Sequence, residues 1–153
     1  MRFLVFIFSI IFITACKQTP EEIVWLNVKE AESVNNNDKK YYFVDVYTEW
    51  CGWCKVMDRE TFSQKEVIDF MNKNFHNVKF DAEQRETTVF NGKTYMWVNS
   101  GRNGINMLAM DLLNSELSYP SYVILDENKK PIEVLKGYME VSPFLASLKK
   151  YDK

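Results

Sequence analysis

The sequence is short of the residues that build metal centres and disulfide frameworks. Among 153 residues there are three cysteines and a single histidine, His76. A structural zinc site needs four ligands, usually cysteine and histidine, so this inventory leaves a second ligand pair missing; no metal and no cofactor is implied. Glycine (five) and proline (four) are also sparse, and there are no internal repeats or low-complexity blocks. Neither sign of charge dominates. Nineteen Lys and Arg face twenty-one Asp and Glu, for a net charge of −2, which excludes a basic footprint for nucleic acid or a polybasic surface for anionic lipid. No apolar run approaches the ~20 residues that cross a bilayer as a helix. Hydrophobic and aromatic residues are plentiful, at 46% and 15%, enough for one packed domain with a short appendage and far from a disordered composition.

The appendage is at the N-terminus. Arg2 provides a minimal positive region, and residues 3–13 are nearly unbroken hydrocarbon, interrupted by Ser9. That length suits the apolar stretch of a signal peptide. Ile13, Thr14, Ala15 and Cys16 follow, a pattern that resembles a bacterial lipobox. The resemblance implies a signal peptide over residues 1–15, lipidation of Cys16, a tether over 16–24, and a domain over 25–153 anchored in the cell envelope and facing the periplasm. The other reading is an ordinary secretory signal with an incidental cysteine. If Cys16 carries lipid, Cys51 and Cys54 remain as a pair, in a compartment where disulfides persist. A disulfide spanning so few residues removes little chain entropy, so it is a poor staple and a better reactive bond.

Along the domain, residues 25–34 read as an amphipathic helix. Residues 35–38 are a breaker cluster, and 41–47 form a β-branched and aromatic run that reads as a buried strand. A helix starts at Cys51-Gly52-Trp53-Cys54 and pauses near residues 61–63, where Ser63 and Glu66 form a capping-box pattern. The helix resumes to about Asn74, and residues 77–80 read as a strand. Asn91-Gly92 lies between two β-rich runs in 87–98, a type I′ hairpin signal, which the Asn- and Gly-rich segment 99–104 closes. Residues 105–113 read as helix, 121–125 and 132–135 as strands, and Ser142-Pro143 as an N-cap followed by proline at the first helical position.

A thiol is nucleophilic only as thiolate. The strand ending near Tyr47 places Cys51 at a helix N-terminus, where orphan N–H groups and the dipole favour an anion. Cys54 lies one turn further on and reaches the same sulfur. Cys51 is thus the exposed attacker on a substrate disulfide, and Cys54 resolves the mixed disulfide.

The segment from Asp45 through Trp50, Cys51, Gly52, Trp53 and Cys54 to Lys55 resembles the active-site segment of the thioredoxin family. Tyr119-Pro120-Ser121 before a hydrophobic strand resembles that family's cis-proline loop, and Lys136-Gly137-Tyr138 its late glycine. The resemblance covers roughly residues 25–151. It implies an α/β fold with a central mixed sheet flanked by helices, to which the 87–98 hairpin is an insertion. It implies that Asp45 is a buried acid assisting deprotonation of Cys54, that burial raises its pKa, and that Pro120 sits cis against the dithiol and prevents metal capture. Trp50, Gly52, Trp53 and Tyr119 would line the substrate groove. Trp53 departs from the proline of thioredoxin itself. The wider pattern through Met57, Thr61 and Phe62 is instead similar to exported thioredoxin-like proteins related to the reducing domain of the transmembrane thiol-reductant pathway.

Plainer readings stand beside these. Asp45 could face solvent with Val44 and Val46 inward. His76, near the end of the second helix, suits a surface or helix-dipole role. Met107 and Met110 fit core positions. Tyr95 and Trp97 alternate on one hairpin face, which is either decoration or a partner surface. The expected activity is thiol–disulfide oxidoreduction of exported cysteine-containing proteins, as a reductase supplied by a membrane thiol transporter. The alternative is a client-binding module without turnover.

Overall fold

A computed structural model describes residues 21–101 and 103–153. The expected signal peptide, Cys16 and most of the tether lie outside the described residues.

The chain runs through β1 (Trp25–Leu26), α1 (Val28–Ser33), β2 (Tyr41–Tyr47), α2 (Gly52–Glu60), α3 (Lys65–Asn74) and β3 (Phe75–Asp81). Four short strands follow: β4 (Thr88–Phe90), β5 (Lys93–Tyr95), β6 (Trp97–Ser100) and β7 (Asn103–Asn106). Then come α4 (Met107–Leu112), β8 (Ser121–Leu125), β9 (Pro131–Lys136), α5 (Val141–Leu148) and a final 3-10 turn (Lys149–Tyr151). A five-stranded sheet has the order β1-β3-β2-β8-β9. β2 pairs parallel with β3 and antiparallel with β8, so the sheet is mixed, and helices cover both faces, as in thioredoxin.

The central strand β2 is buried on both sides. Its alternate residues therefore enter two different cores. Tyr42, Val44 and Val46 join Ala31 of α1 and Leu108, Ala109 and Leu112 of α4. Phe43 points the other way, into Met57 of α2, Val67, Ile68 and Met71 of α3, and Phe144 and Leu148 of α5. This second core is strongly aromatic. Phe43 stacks on Tyr122 at 5.4 Å, and Phe62 and Phe144 meet edge-to-face at 5.5 Å. Asp45 shares this face.

Several local expectations are corrected. Trp25 and Leu26 form an edge strand parallel to β3, and the helix begins only after Asn27, which closes a capping box with Glu30. The Ser63 capping box is absent: the Ser63 hydroxyl donates to the Arg59 carbonyl, and Gln64 is the N-cap of α3. The intervening turn is fixed by Thr61, whose buried hydroxyl donates to the Met139 carbonyl at 2.7 Å. Ser142-Pro143 does not start α5. Glu140 is its N-cap, which leaves Pro143 inside the first turn, where a missing N–H costs nothing. His76 lies on β3, half-buried beside Asn36 and Asp38, rather than at a helix end.

The insertion is larger than a single hairpin. Asn91 and Gly92 both have positive φ, 49° and 71°, as a type I′ turn between β4 and β5 requires. Residues 99–104 do not merely close it: β6 and β7 form a second hairpin. Tyr95 and Trp97 also part company. Tyr95 is buried with its hydroxyl on Asp111, while Trp97 lies against Gly104, where a Cβ would come within 1.9 Å of the indole. Met107 is exposed rather than core, Met110 is half-buried, and Met96 beside them is exposed.

Candidate functional site

β2 ends at Tyr47 and α2 starts at Gly52, so residues 48–51 form a short crossing at the carboxyl end of the central strand. The Cys51 N–H donates to the Thr48 carbonyl at 3.0 Å, fixing that crossing. Cys51 is the N-cap of α2, and its sulfur accepts the Cys54 N–H at 3.1 Å. One orphan donor of the helix end therefore points at this sulfur, and the helix dipole adds to the same field. A thiolate at Cys51 is the form that this arrangement favours.

Cys51 and Cys54 are joined in a disulfide. Both are shielded, at 4% and 5% exposure, which corrects the expectation of an exposed attacker. In this oxidised form the asymmetry between them lies in position. Cys51 caps the helix, whereas Cys54 is one turn inside it.

Where β2, β3 and α2 meet lies a charged group of three. Asp45 is 2% exposed, so the solvent-facing reading is excluded. Its neighbours across the sheet are Lys79 on β3 and Tyr122 on β8. Lys79 Nζ lies 3.5 Å from Asp45 Oδ2 and 2.5 Å from Asp58 Oδ1. Asp58 lies four residues beyond Cys54, on the same side of α2. Lys79 also sits over the rings of Trp25 and Tyr47. Burial dominates the acidity of Asp45 and pushes its carboxyl up to about 7; Lys79 pulls it down and the Asp58 charge pushes it up. Asp45 Oδ1 has no hydrogen-bond partner among the described residues, and the same holds for the buried hydroxyls of Tyr122 and Thr48. A carboxyl that titrates near neutrality can take or give a proton at working pH. Lys79 and Asp58 were not among the residues expected from the sequence. A lysine mid-strand and an aspartate mid-helix carry no local motif, and only the β2–β3 register and the helical spacing join them.

Each tryptophan of the motif pairs with a tyrosine from a later loop. Trp50 meets Tyr119 edge-on at 5.9 Å, and Trp53 lies against Tyr138 at 5.6 Å. Both tryptophans are 61% exposed. The Tyr119–Pro120 peptide is cis. The Pro120 carbonyl accepts the Gly137 N–H at 2.8 Å, which brings the 119–120 and 137–138 loops together. Gly137 has φ +83°, a conformation that favours glycine. A Cβ at Gly52 would meet nothing within 4 Å, so the approach there is open. Burial, with help from Glu83 and Asp81, raises the Tyr119 phenol to about 12, so it stays protonated.

Glu83 ties the redox loop to the insertion. Its carboxylate accepts the Trp50 indole N–H at 2.9 Å and the Asn103 side-chain N–H at 3.3 Å. Glu83 was likewise not expected from the sequence.

Comparison with known proteins agrees with this architecture. The family model Thioredox_DsbH, described as a protein of unknown function, DUF255, matches residues 12–144. Among curated proteins, an uncharacterized protein of Archaeoglobus fulgidus is 31% identical over 65 residues, 42% of this chain and 51% of that one. Spermatogenesis-associated protein 20 of Rattus norvegicus is 33% identical over 57 residues, 37% of this chain but 7% of that protein. The chain thus spans about half the length of the first of these curated relatives and a small fraction of the second. Among solved structures, a DsbH oxidoreductase superposes with a TM-score of 0.60 at 16% identity, covering 87% of this chain and 86% of that one. A thioredoxin from Thermus thermophilus gives 0.62 at 17%, covering 84% and 86%. A putative disulphide-isomerase from Bacteroides thetaiotaomicron gives 0.59 at 24%, covering 83% and 88%. At these identities the likeness is one of fold.

Proposed function

The chain belongs to the Thioredox_DsbH family, and on that premise we propose that it is a thiol–disulfide oxidoreductase that reduces disulfides of exported proteins. The observation that carries this reading is the Cys51–Cys54 pair at the N-terminus of α2, together with a buried carboxyl on the preceding strand that titrates near neutrality.

In the reduced enzyme the Cys51 thiolate attacks one sulfur of a client disulfide. The other client sulfur leaves as thiolate and takes a proton, and a Cys51–client mixed disulfide forms. Asp45 accepts the Cys54 proton, and the Cys54 thiolate attacks the Cys51 sulfur. The second client sulfur leaves and is protonated. Two electrons have passed to the client, and the enzyme is left with the Cys51–Cys54 disulfide. An outside dithiol must return those electrons. A membrane thiol-reductant transporter fits that role, in keeping with the likeness to the C-terminal domain of DsbD from Neisseria meningitidis, whose TM-score is 0.50 at 18% identity, covering 73% of this chain and 80% of that one. Lys79 holds Asp45 near its useful range. Trp50, Gly52, Trp53, Tyr119 and Pro120 form the surface on which the client cystine lies. Lipid on Cys16 would hold the domain at the envelope, facing the periplasm.

The test is reduction of insulin disulfides with dithiothreitol, comparing the wild type with Cys51→Ser; equal rates would sink the proposal. The direction of electron flow is read from the potential of the pair, expected nearer the ~−270 mV of reductants than the ~−120 mV of strong oxidants. The anchor is read from labelled-palmitate incorporation, which Cys16→Ala abolishes.

A further inference from the structure

Between the redox loop and the second hairpin runs a groove of about 420 Å³, with Trp50, Tyr119 and Leu117 along one side and Val98, Ile105 and Met107 among the residues of the other. Past Val98, Met107 and Met110, which line both, it joins a second hollow of about 610 Å³ beside Met96 and Tyr95. One face of the β6–β7 hairpin supplies much of the wall: Val98 pairs with Ile105 and Ser100 with Asn103, so these four side chains point the same way. Trp50, Val98, Leu117, Met107 and Met96 are all substantially exposed. That is a contiguous apolar strip, and such strips mark interaction surfaces.

The chemistry of the lining narrows the occupant. Unbranched methionines adapt to side chains of varied shape, which suits a family of sequences better than one rigid ligand. Ser100 and Asn103 form a polar rim that can hydrogen-bond an extended backbone. The mouth nearest the dithiol is acidic. Glu83 lines it, and the Asp81 carboxylate beside it accepts the Glu83 N–H at 3.0 Å. Arg85 offsets part of this charge, but it lies over Trp97, on the opposite face of the hairpin. Trp50, the residue before Cys51, lines the groove, so whatever fills it lies beside the redox loop.

We propose that this groove holds an extended stretch of the client polypeptide, with apolar side chains next to its cysteine and a lysine or arginine at the acidic mouth. The inference rests on the reductase reading for the identity of the client, while the groove can be tested without turnover. On this view the insertion is a specificity element: it selects unfolded or flexible chains by the residues beside their cystine.

Two symmetrical peptide disulfides serve as probes, one with leucines and a lysine beside the cysteine, the other with serines and a glutamate. With reduced full-length protein, the first is reduced about tenfold faster, a ratio within reach of burying one or two apolar side chains. In Met107→Ser/Met110→Ser, and independently in Leu117→Ser, the ratio falls below about threefold. Val89→Ser, an exposed apolar site on β4 away from the groove, leaves the ratio unaltered. The same peptides with their cysteines S-methylated are then titrated by fluorescence anisotropy against the oxidised protein, where the leucine peptide binds about tenfold more tightly. Equal binding of both methylated peptides, or full selectivity retained in the groove variants, overturns the proposal. A wild-type dimer whose formation competes with the leucine peptide also overturns it, because a second copy would then be the occupant. Absence of any reduction together with selective binding of the methylated peptides sinks the reductase reading alone.

Discussion

The Trp50 indole N–H donates to the Glu83 carboxylate at 2.9 Å, and the same oxygen accepts from Asn103. The tryptophan that precedes the first cysteine is therefore held by a residue just past the end of β3, which also holds the second hairpin. Replacing Glu83 with Ala should free both partners. The Trp50 indole hydrogen is expected to exchange with solvent at least about tenfold faster, one lost hydrogen bond to a charged acceptor being worth roughly 1.5–3 kcal/mol. Nuclear magnetic resonance of the indole N–H region reads this directly, and an unchanged exchange rate would show that the bond does not constrain the ring.

The buried carboxyl makes stability depend on pH. Asp45 titrates at about 7 in the folded chain but near ~3.9 when unfolded. Its folded-state pKa is raised, so the folded state binds the extra proton and stability falls as pH rises from about 4 to about 7, then levels off. Asp45→Asn removes that loss. The variant should gain on the order of 4 kcal/mol over the wild type near pH 8 and almost nothing near pH 3.5, an upper figure before relaxation of the site. Denaturant unfolding at the two pH values measures it. A gain of the same size at both would mean that the carboxyl does not titrate as described.

Lys79 works against burial. Replacing it with Met removes the cation beside Asp45 and leaves Asp58 without its partner. The Asp45 midpoint is expected to move upward by about one pH unit, the low end for loss of an adjacent opposite charge. The protonated-carboxyl infrared band, followed against pH and assigned by its loss in Asp45→Asn, reports the midpoint. A downward shift would contradict the geometry.

Gly104 has no room for a methyl group, since a Cβ would come within 1.9 Å of the Trp97 ring. Gly104→Ala should force Trp97 off the hairpin at a cost of about 1–3 kcal/mol, as overpacking generally does. Faster limited proteolysis within 97–106 and a red-shifted tryptophan emission are the expected signs. Proteolysis at the wild-type rate would show that the ring can give way.

Much of this molecule is legible in one dimension. The strand Ser121–Leu125 falls where its apolar run places it, and Asn91-Gly92 turns as that pair must. Cys51 caps a helix because a buried strand stops a few residues before it. What escaped depends on pairing across the fold. A two-residue edge strand at Trp25 is too short to show a period. The Asn- and Gly-rich residues 99–104 have loop composition, yet two strands pair through them because Gly104 admits the Trp97 ring. Lys79 and Asp58 acquire meaning only from the register that sets Lys79 opposite Asp45. Pro143 looks like a helix start because proline is tolerated anywhere in a first turn.

The aromatic packing on the Asp45 face of the sheet has a further consequence. Phe43, Phe62, Tyr122 and Phe144 exclude water from the region around that carboxyl, and it is this exclusion that makes the acid weak. Acid strength and core volume are thus set by the same atoms. A substitution such as Phe144→Leu, far from any sulfur in the sequence, would loosen the packing, admit solvent and strengthen the acid. In a lineage of such proteins, drift in the core would surface as drift in the pH at which the dithiol works.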